Sequence, residues 1–139
     1  MDWSKFDPAE LLPQMWWASQ SQWIDQLDGD WTGGLPLNST SLALEASRTV
    51  KSGAGSLFGL TITNTNASAQ WVLLFNLQTV PANGAVPVTP IRVPGTTTMG
   101  VLYGLPPRFF NNGICVANSS TSATLTIGAA DCWFDCQYL

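Results

Sequence analysis

The alternation of apolar and polar side chains is clearest between residues 56 and 78, SLFGLTITNTNASAQWVLLFNLQ. Phe58, Leu60 and Ile62 alternate with Gly59, Thr61 and Thr63, the period of two that a strand shows when one of its faces is buried. After Asn64 to Ser68, whose Asn and Ser side chains bond their own backbone in turns, Trp71, Val72, Leu73, Leu74 and Phe75 are apolar without a break. The two runs predict strands folded back on each other. The second, apolar on both faces, needs a layer over each side and is the natural centre of a sandwich.

Further strands are predicted near 42–49, 57–65, 70–78, 88–93, 97–103, 113–118, 123–127 and 132–138. Between them lie the turn-forming stretches KSGAGS, NTNAS, PANGAVP, VPG, LPPRFFNNG and SSTS. Short strands at this spacing predict an all-β domain over 42–139, an antiparallel β-sandwich of jelly-roll-like kind with about eight strands. Pro87, Pro90 and Pro94 bracket the fourth strand and confine it to a sheet edge, the edge expected to meet a neighbour. KSGAGS lacks the third glycine of a dinucleotide fingerprint and the Gly-Lys-Ser/Thr of a P-loop, and predicts a hairpin turn.

Residues 1–31 are a different kind of sequence, holding five of the seven tryptophans. Asp7, Pro8 and Glu10 form a helix start, and Pro13 either interrupts that turn or begins a longer helix. Leu12, Trp16, Trp23 and Leu27 recur at helical spacing with Met15 and Ile24 beside them, and Gly29 ends the run. A lone helix this apolar is unstable in water, so its Trp face must dock on its own β-domain, on a sister subunit or on a foreign partner. Membrane-surface binding is disfavoured by Asp25 and Asp28 on the segment and because no Lys or Arg flanks it after Lys5. Residues 32–41, TGGLPLNSTS, read as a linker. Trp16, Trp17, Trp23 and Trp31 in this arm are candidate partner-binding residues. So are Arg108, Phe109 and Phe110, an Arg beside two aromatics in a Pro-stiffened turn.

Composition sharpens the picture. Only 10% of residues are charged, against roughly 25% in ordinary soluble proteins, which suits a β-rich shell protein or a packed assembly. The net charge of -4 lacks the basic footprint that phosphate neutralisation requires, so no nucleic-acid partner is expected. No run of 18 apolar residues exists, so no membrane span is expected either. The start MDWSKFDP has no basic stretch followed by an apolar one, and no secretory signal is read there.

The chain has no histidine, which removes the commonest metal ligand and the commonest general base. Cys115, Cys132 and Cys136 lack zinc-ligand spacing. Cys132 and Cys136, on one face of one strand, lie about 13 Å apart and cannot bridge each other. Either Cys115 pairs with one of them, if their strands neighbour, or all three are reduced and packed as small hydrophobes. Cys115 has no histidine to activate it. Asp131 and Asp135 have the residue type of a glycosidase pair, yet solvated faces or turn caps explain them better. Neither metal, cofactor nor catalysis is expected. Asn38-Ser39-Thr40, Asn66-Ala67-Ser68 and Asn118-Ser119-Ser120 match the glycosylation acceptor pattern and read as turns. Trp71, Trp133, Tyr103 and Phe109 are candidates for stacking a sugar ring, although Trp at alternating strand positions is more often core.

The run GSLFGLTITNTNASAQWVLLFNLQTVPANGAVP, a Pro-bounded strand and then FFNNGICVANSSTSATLTIGAAD resembles the small β-sandwich proteins encoded among the structural genes of tailed bacteriophages. The cues are the Gly-x-Leu strand leading to TNTNASA, the WVLLFN strand, the Asn-Gly-Ala-Val-Pro turn and the NNGI strand followed by a Ser/Thr-rich hairpin and Ala-Ala-Asp. The resemblance implies a virion component, a capsid decoration or cement protein or a fibre or neck protein, located on the particle surface. It also implies a homo-oligomer, often threefold, with the major capsid protein or another virion protein as partner. A carbohydrate-binding fibre, neck or baseplate module, with Tyr103, Trp133 or Tyr138 against a surface glycan, is the alternative. Residues 1–31 lie outside the resemblance.

Overall fold

A computed structural model describes residues 35–139, of which Pro36–Leu139 form one compact unit. The strands are β1 (Leu37–Thr40), β2 (Ser47–Lys51), β3 (Gly55–Asn64), β4 (Gln70–Phe75), β5 (Thr89–Val93), β6 (Thr97–Leu102), β7 (Arg108–Phe110), β8 (Ile114–Ser119) and β9 (Cys132–Tyr138). They form two antiparallel sheets. One has the order β1-β9-β3-β6, with the short β7 also on β3, and the other the order β2-β8-β4-β5. The described residues are thus all-β, as expected. The predicted helix over the arm, with Trp16, Trp17, Trp23 and Trp31, lies outside them.

The sheets pack face to face. Leu57, Leu60, Ile62, Phe134 and Cys136 from one meet Val72, Leu74, Ile91, Val93 and Val116 from the other in a single buried cluster. β4 is covered on both sides, as its unbroken apolar run requires. Val72 and Leu74 face that cluster, while Leu73 and Phe75 join Cys115, Ala117 and Leu125 in a second one on the outer face of their sheet. Each fully buried Val, Leu, Ile or Phe among them contributes about 1.5–3 kcal/mol. The cover over the second cluster consists of loops. Gly84 N–H donates to the Leu125 carbonyl and Leu125 N–H to that of Ala85, each at 2.8 Å, which ties the β4–β5 and β8–β9 connections together.

Several connections differ from expectation. β3 and β4 do not fold back on each other: β3 pairs with β9, β6 and β7, and β4 with β5 and β8. The Asn64 to Ser68 turn therefore crosses between sheets. Fully buried Asn64 holds it there, its Nδ2 donating to the carbonyls of Ser68, Val93 and Pro94 and its Oδ1 accepting from Asn66 N–H. KSGAGS is likewise no hairpin, because β2 pairs with β8 and not with β3. In β3 the register shift between Leu57 and Gly59 against β9 breaks the simple alternation. Leu57 thereby turns inside with Leu60 and Ile62, and Phe58 is only half-buried.

At the start of the domain, Leu37–Thr40 form the edge strand β1 on β9 where the Gly/Pro-rich composition predicts linker. Residues 42–46, predicted as strand, are irregular, with Leu42 94% exposed. The segment 123–127 is not a strand; its one ladder bridge to β8 is between Ser119 and Ile127, Ser119 Oγ accepts from Thr126 N–H at 2.9 Å, and its role is to place Leu125 in the second cluster. β5 lies at a sheet edge, as its prolines require. All three cysteines are free and buried.

Candidate functional site

Of the residues singled out for partner binding, Arg108, Phe109 and Phe110 lie among those described, and they form β7 where the sequence predicts a loop. The strand alternates. Phe110 is 1% exposed and belongs to the inter-sheet core, so it is not available to a partner; alternation along a short strand, invisible in a Pro-flanked loop, drives it inward. Phe109, opposite Ser56 on β3, is 65% exposed. Arg108 is half-buried, with its guanidinium 5.8 Å from the Tyr103 ring centroid and 5.7 Å from that of Phe110, within the range for cation–π attraction. It also donates to Thr89 Oγ1 on β5, so it spans the two sheets at this edge. Its own chain holds Arg108; only its neighbour Phe109 projects.

Phe109 is not alone. Leu102, the last residue of β6, is 84% exposed and Leu105 is 63% exposed. The segment between β6 and β7 turns through Gly104 at φ 73° and a cis Leu105–Pro106 bond. β6 and β7 both lie along the same side of β3. The result is an apolar corner of Leu102, Leu105 and Phe109 at one edge of the five-stranded sheet, the kind of exposed patch that marks an interaction surface. Sequence reading found Phe109 and missed the two leucines, because only the sheet order brings them to one edge.

The rings proposed for sugar stacking are dispersed. Trp133, 37% exposed, faces outward beside Thr63 on the five-stranded sheet. Tyr103 and Tyr138 are half-buried against the inter-sheet core. Trp71 is half-buried over the second cluster, at the opposite face of the sandwich.

The strongest polar constellation is built around Asp131. Its Oδ2 accepts from Asn66 Nδ2 at 2.9 Å and Gln70 Nε2 at 2.8 Å, and its Oδ1 from Asn118 Nδ2 at 2.9 Å. Thr65 donates to its carbonyl through both N–H and Oγ1. One carboxylate therefore joins the β3–β4 turn, β4 and β8. Gln70 Oε1 and Asn118 Oδ1 are buried and accept no hydrogen bond from the described residues. Beside this network lies a recess of about 270 Å³ lined by Asn66, Ser68, Ala69, Gln70, Ser120, Gly128 and Ala129. Asp135 accepts from Thr40 Oγ1 at 2.8 Å. The two carboxylates have separate partners, and four residues apart along an extended chain they stand about 13 Å from each other, beyond the roughly 5–9.5 Å of a glycosidase pair.

The thiols are chemically quiet. Burial raises the Cys132 pKa to about 12, with the Asp131 charge adding to it, and burial with the Asp135 charge does the same at Cys136, also to about 12. Cys115 is raised by burial against the lowering effect of its hydrogen bond to Thr49. Among the described residues no group of three or more His, Cys, Asp or Glu side chains is placed to hold a metal ion, and no helix is long and apolar enough to cross a membrane. No family model, curated protein or solved structure matches the chain.

Proposed function

We propose that this chain is a non-enzymatic structural component of a tailed-phage virion, a capsid decoration or cement protein on the particle surface. In this reading the N-terminal arm, helical and bearing Trp16, Trp17, Trp23 and Trp31, docks on the major capsid protein or another virion protein, and the β-domain mediates self-association. The observation that carries it is the strand pairing. β4 pairs with β5, β3 with β6, β2 with β8 and β1 with β9, so the chain is doubled about the β4–β5 connection and the doubled ribbon is rolled into two sheets. With β7 set aside, this order supports a jelly-roll-like reading, an architecture used by viral capsid and lectin domains. Such a likeness of fold is an analogy and does not itself fix function. The low charge, the resemblance to phage structural proteins and the apolar corner at Leu102, Leu105 and Phe109 support the same reading.

The test uses the full chain and a variant lacking residues 1–31, each sedimented with phage heads stripped of their decoration. The full chain is expected to pellet with the heads and the truncated one to remain in the supernatant. Undiminished binding of the truncated chain removes the arm from the mechanism. A carbohydrate-binding fibre or baseplate module is the second reading, favoured by the outward Trp133 and by the amide- and hydroxyl-lined recess beside Gln70. Retention on a glycan array, abolished by Trp133→Ala, would select it.

A further inference from the structure

Sheet edges expose unpaired backbone groups, and proteins protect them with short strands, charges, prolines or bulges. Four strands here carry such devices. β1 has four residues, and β2 bears Arg48 and Lys51 with a register shift between Thr49 and Lys51. β5 contains Pro90 and an exposed Arg92, and β7 has three residues, one of them Arg108. β6 has none. It is six residues long, TTMGVL, among the described residues it has no pairing strand beyond β3 and no register shift against it, and from Val93 to Pro107 no residue is charged.

The register says which backbone groups that edge offers. Tyr103 N–H donates to the Phe58 carbonyl at 2.9 Å, which continues the β3–β6 register and makes this a hydrogen-bonded pair. Hydrogen-bonded and non-hydrogen-bonded pairs alternate in an antiparallel ladder. Val101 and Met99 therefore also bond to β3, and Leu102, Gly100 and Thr98 present their N–H and C=O groups outward. The same three residues are the exposed ones, while Thr97, Met99 and Val101 are half-buried.

We propose that β6 pairs antiparallel with β6 of a second copy of this chain, about a two-fold axis at Gly100. That register is self-complementary, as an isologous contact must be. Gly100 meets its counterpart in a hydrogen-bonded pair. Thr98 meets Leu102 and Leu102 meets Thr98, and Met99 and Val101 oppose each other on the core side. A second copy is the occupant because the strand matches itself in both hydrogen-bond phase and face, and because its uncharged run brings no like charges together. Gly100 has open space where a Cβ would stand, so nothing obstructs the axis, and the exposed Leu102 is drawn into the seam. The contact yields dimers or even-numbered assemblies in place of the threefold one that the resemblance implies. It stands whether or not the chain belongs to a virion.

The test is the native mass of the full chain by sedimentation equilibrium, beside a Gly100→Lys, Leu102→Lys double variant placed where both side chains have room. The wild type is expected at twice the chain mass of 14.9 kDa, or an even multiple, and the variant at half the wild-type mass or less with an unchanged circular dichroism spectrum. A wild type that is monomeric at about 100 µM, a trimer, or an assembly that persists in the folded variant would each overturn the proposal. Should the variant fail to fold, amide hydrogen exchange on the wild type decides. Strong protection of Thr98, Gly100 and Leu102 supports the pairing, and rapid exchange at these outward-facing amides rejects it.

Discussion

Single residues in this fold act chiefly through the turns that carry the chain between sheets. Gly95 opens the turn from β5 to β6, and a Cβ built on it would lie 2.0 Å from the Ala67 carbonyl oxygen and 2.5 Å from its carbon. Both are backbone atoms with nowhere to go. The next residue, Thr96, sits at φ 48°, a conformation that a β-branched side chain rarely adopts, and its N–H bonds the Asn66 carbonyl at 2.8 Å. Gly95→Ala is therefore expected to lose about 3 kcal/mol in urea unfolding, the upper range for overpacking. Gly53→Ala, with nothing within 4 Å, should change stability by less than about 0.5 kcal/mol. The buried thiols make a prediction about pH. Their pKa values rise from an ordinary 9.0 to about 12 at Cys132 and Cys136, so the folded state holds these protons more tightly than the unfolded one. Their contribution to stability is complete below pH 9 and is lost as pH climbs from 9 towards 12. A thermal melting series should decline across that window, and a Cys132→Ala, Cys136→Ala variant should decline less.

Elements show how far periodicity reads through to structure. The unbroken apolar run at Trp71 to Phe75 announced a doubly covered strand, because each face of β4 must leave water and nothing else in the chain is so apolar. What covers its outer face was not legible: Leu125 sits in TSATLTIG, which reads as a strand by alternation and serves as a loop that caps Phe75. The pairing of β3 was misread for a related reason. Turn residues such as NTNAS encode a reversal of direction, and that reversal serves an arch between sheets as well as a hairpin within one. β7 gives the sharpest contrast between neighbours. Phe110→Ala should cost about 3–5 kcal/mol as a core truncation, whereas Phe109→Ala, at a position 65% exposed, should leave the unfolding midpoint nearly unchanged. Equal losses at both positions would show that the corner is packed, not presented.

At the scale of the whole molecule, the candidate surface was half legible in the sequence. Phe109 stood out beside an Arg and two prolines, but Leu102 and Leu105 gain significance only when β6 and β7 line up along β3. The Asp131 network was missed because its three amides, Asn66, Gln70 and Asn118, are scattered along the chain and signal nothing by spacing. The described domain is a pair of antiparallel sheets with quiet thiols, three of its four sheet edges blunted and an apolar corner left open. We read it as a building block of a particle. The most direct measurement is quantitative mass spectrometry of phage particles purified on a density gradient from lysates in which this chain is made. The chain should co-purify with the heads in a fixed copy ratio to the major capsid protein, and survive washing with detergent and nuclease. Its recovery only in the soluble lysate, with none in the particle band, would contradict the assignment.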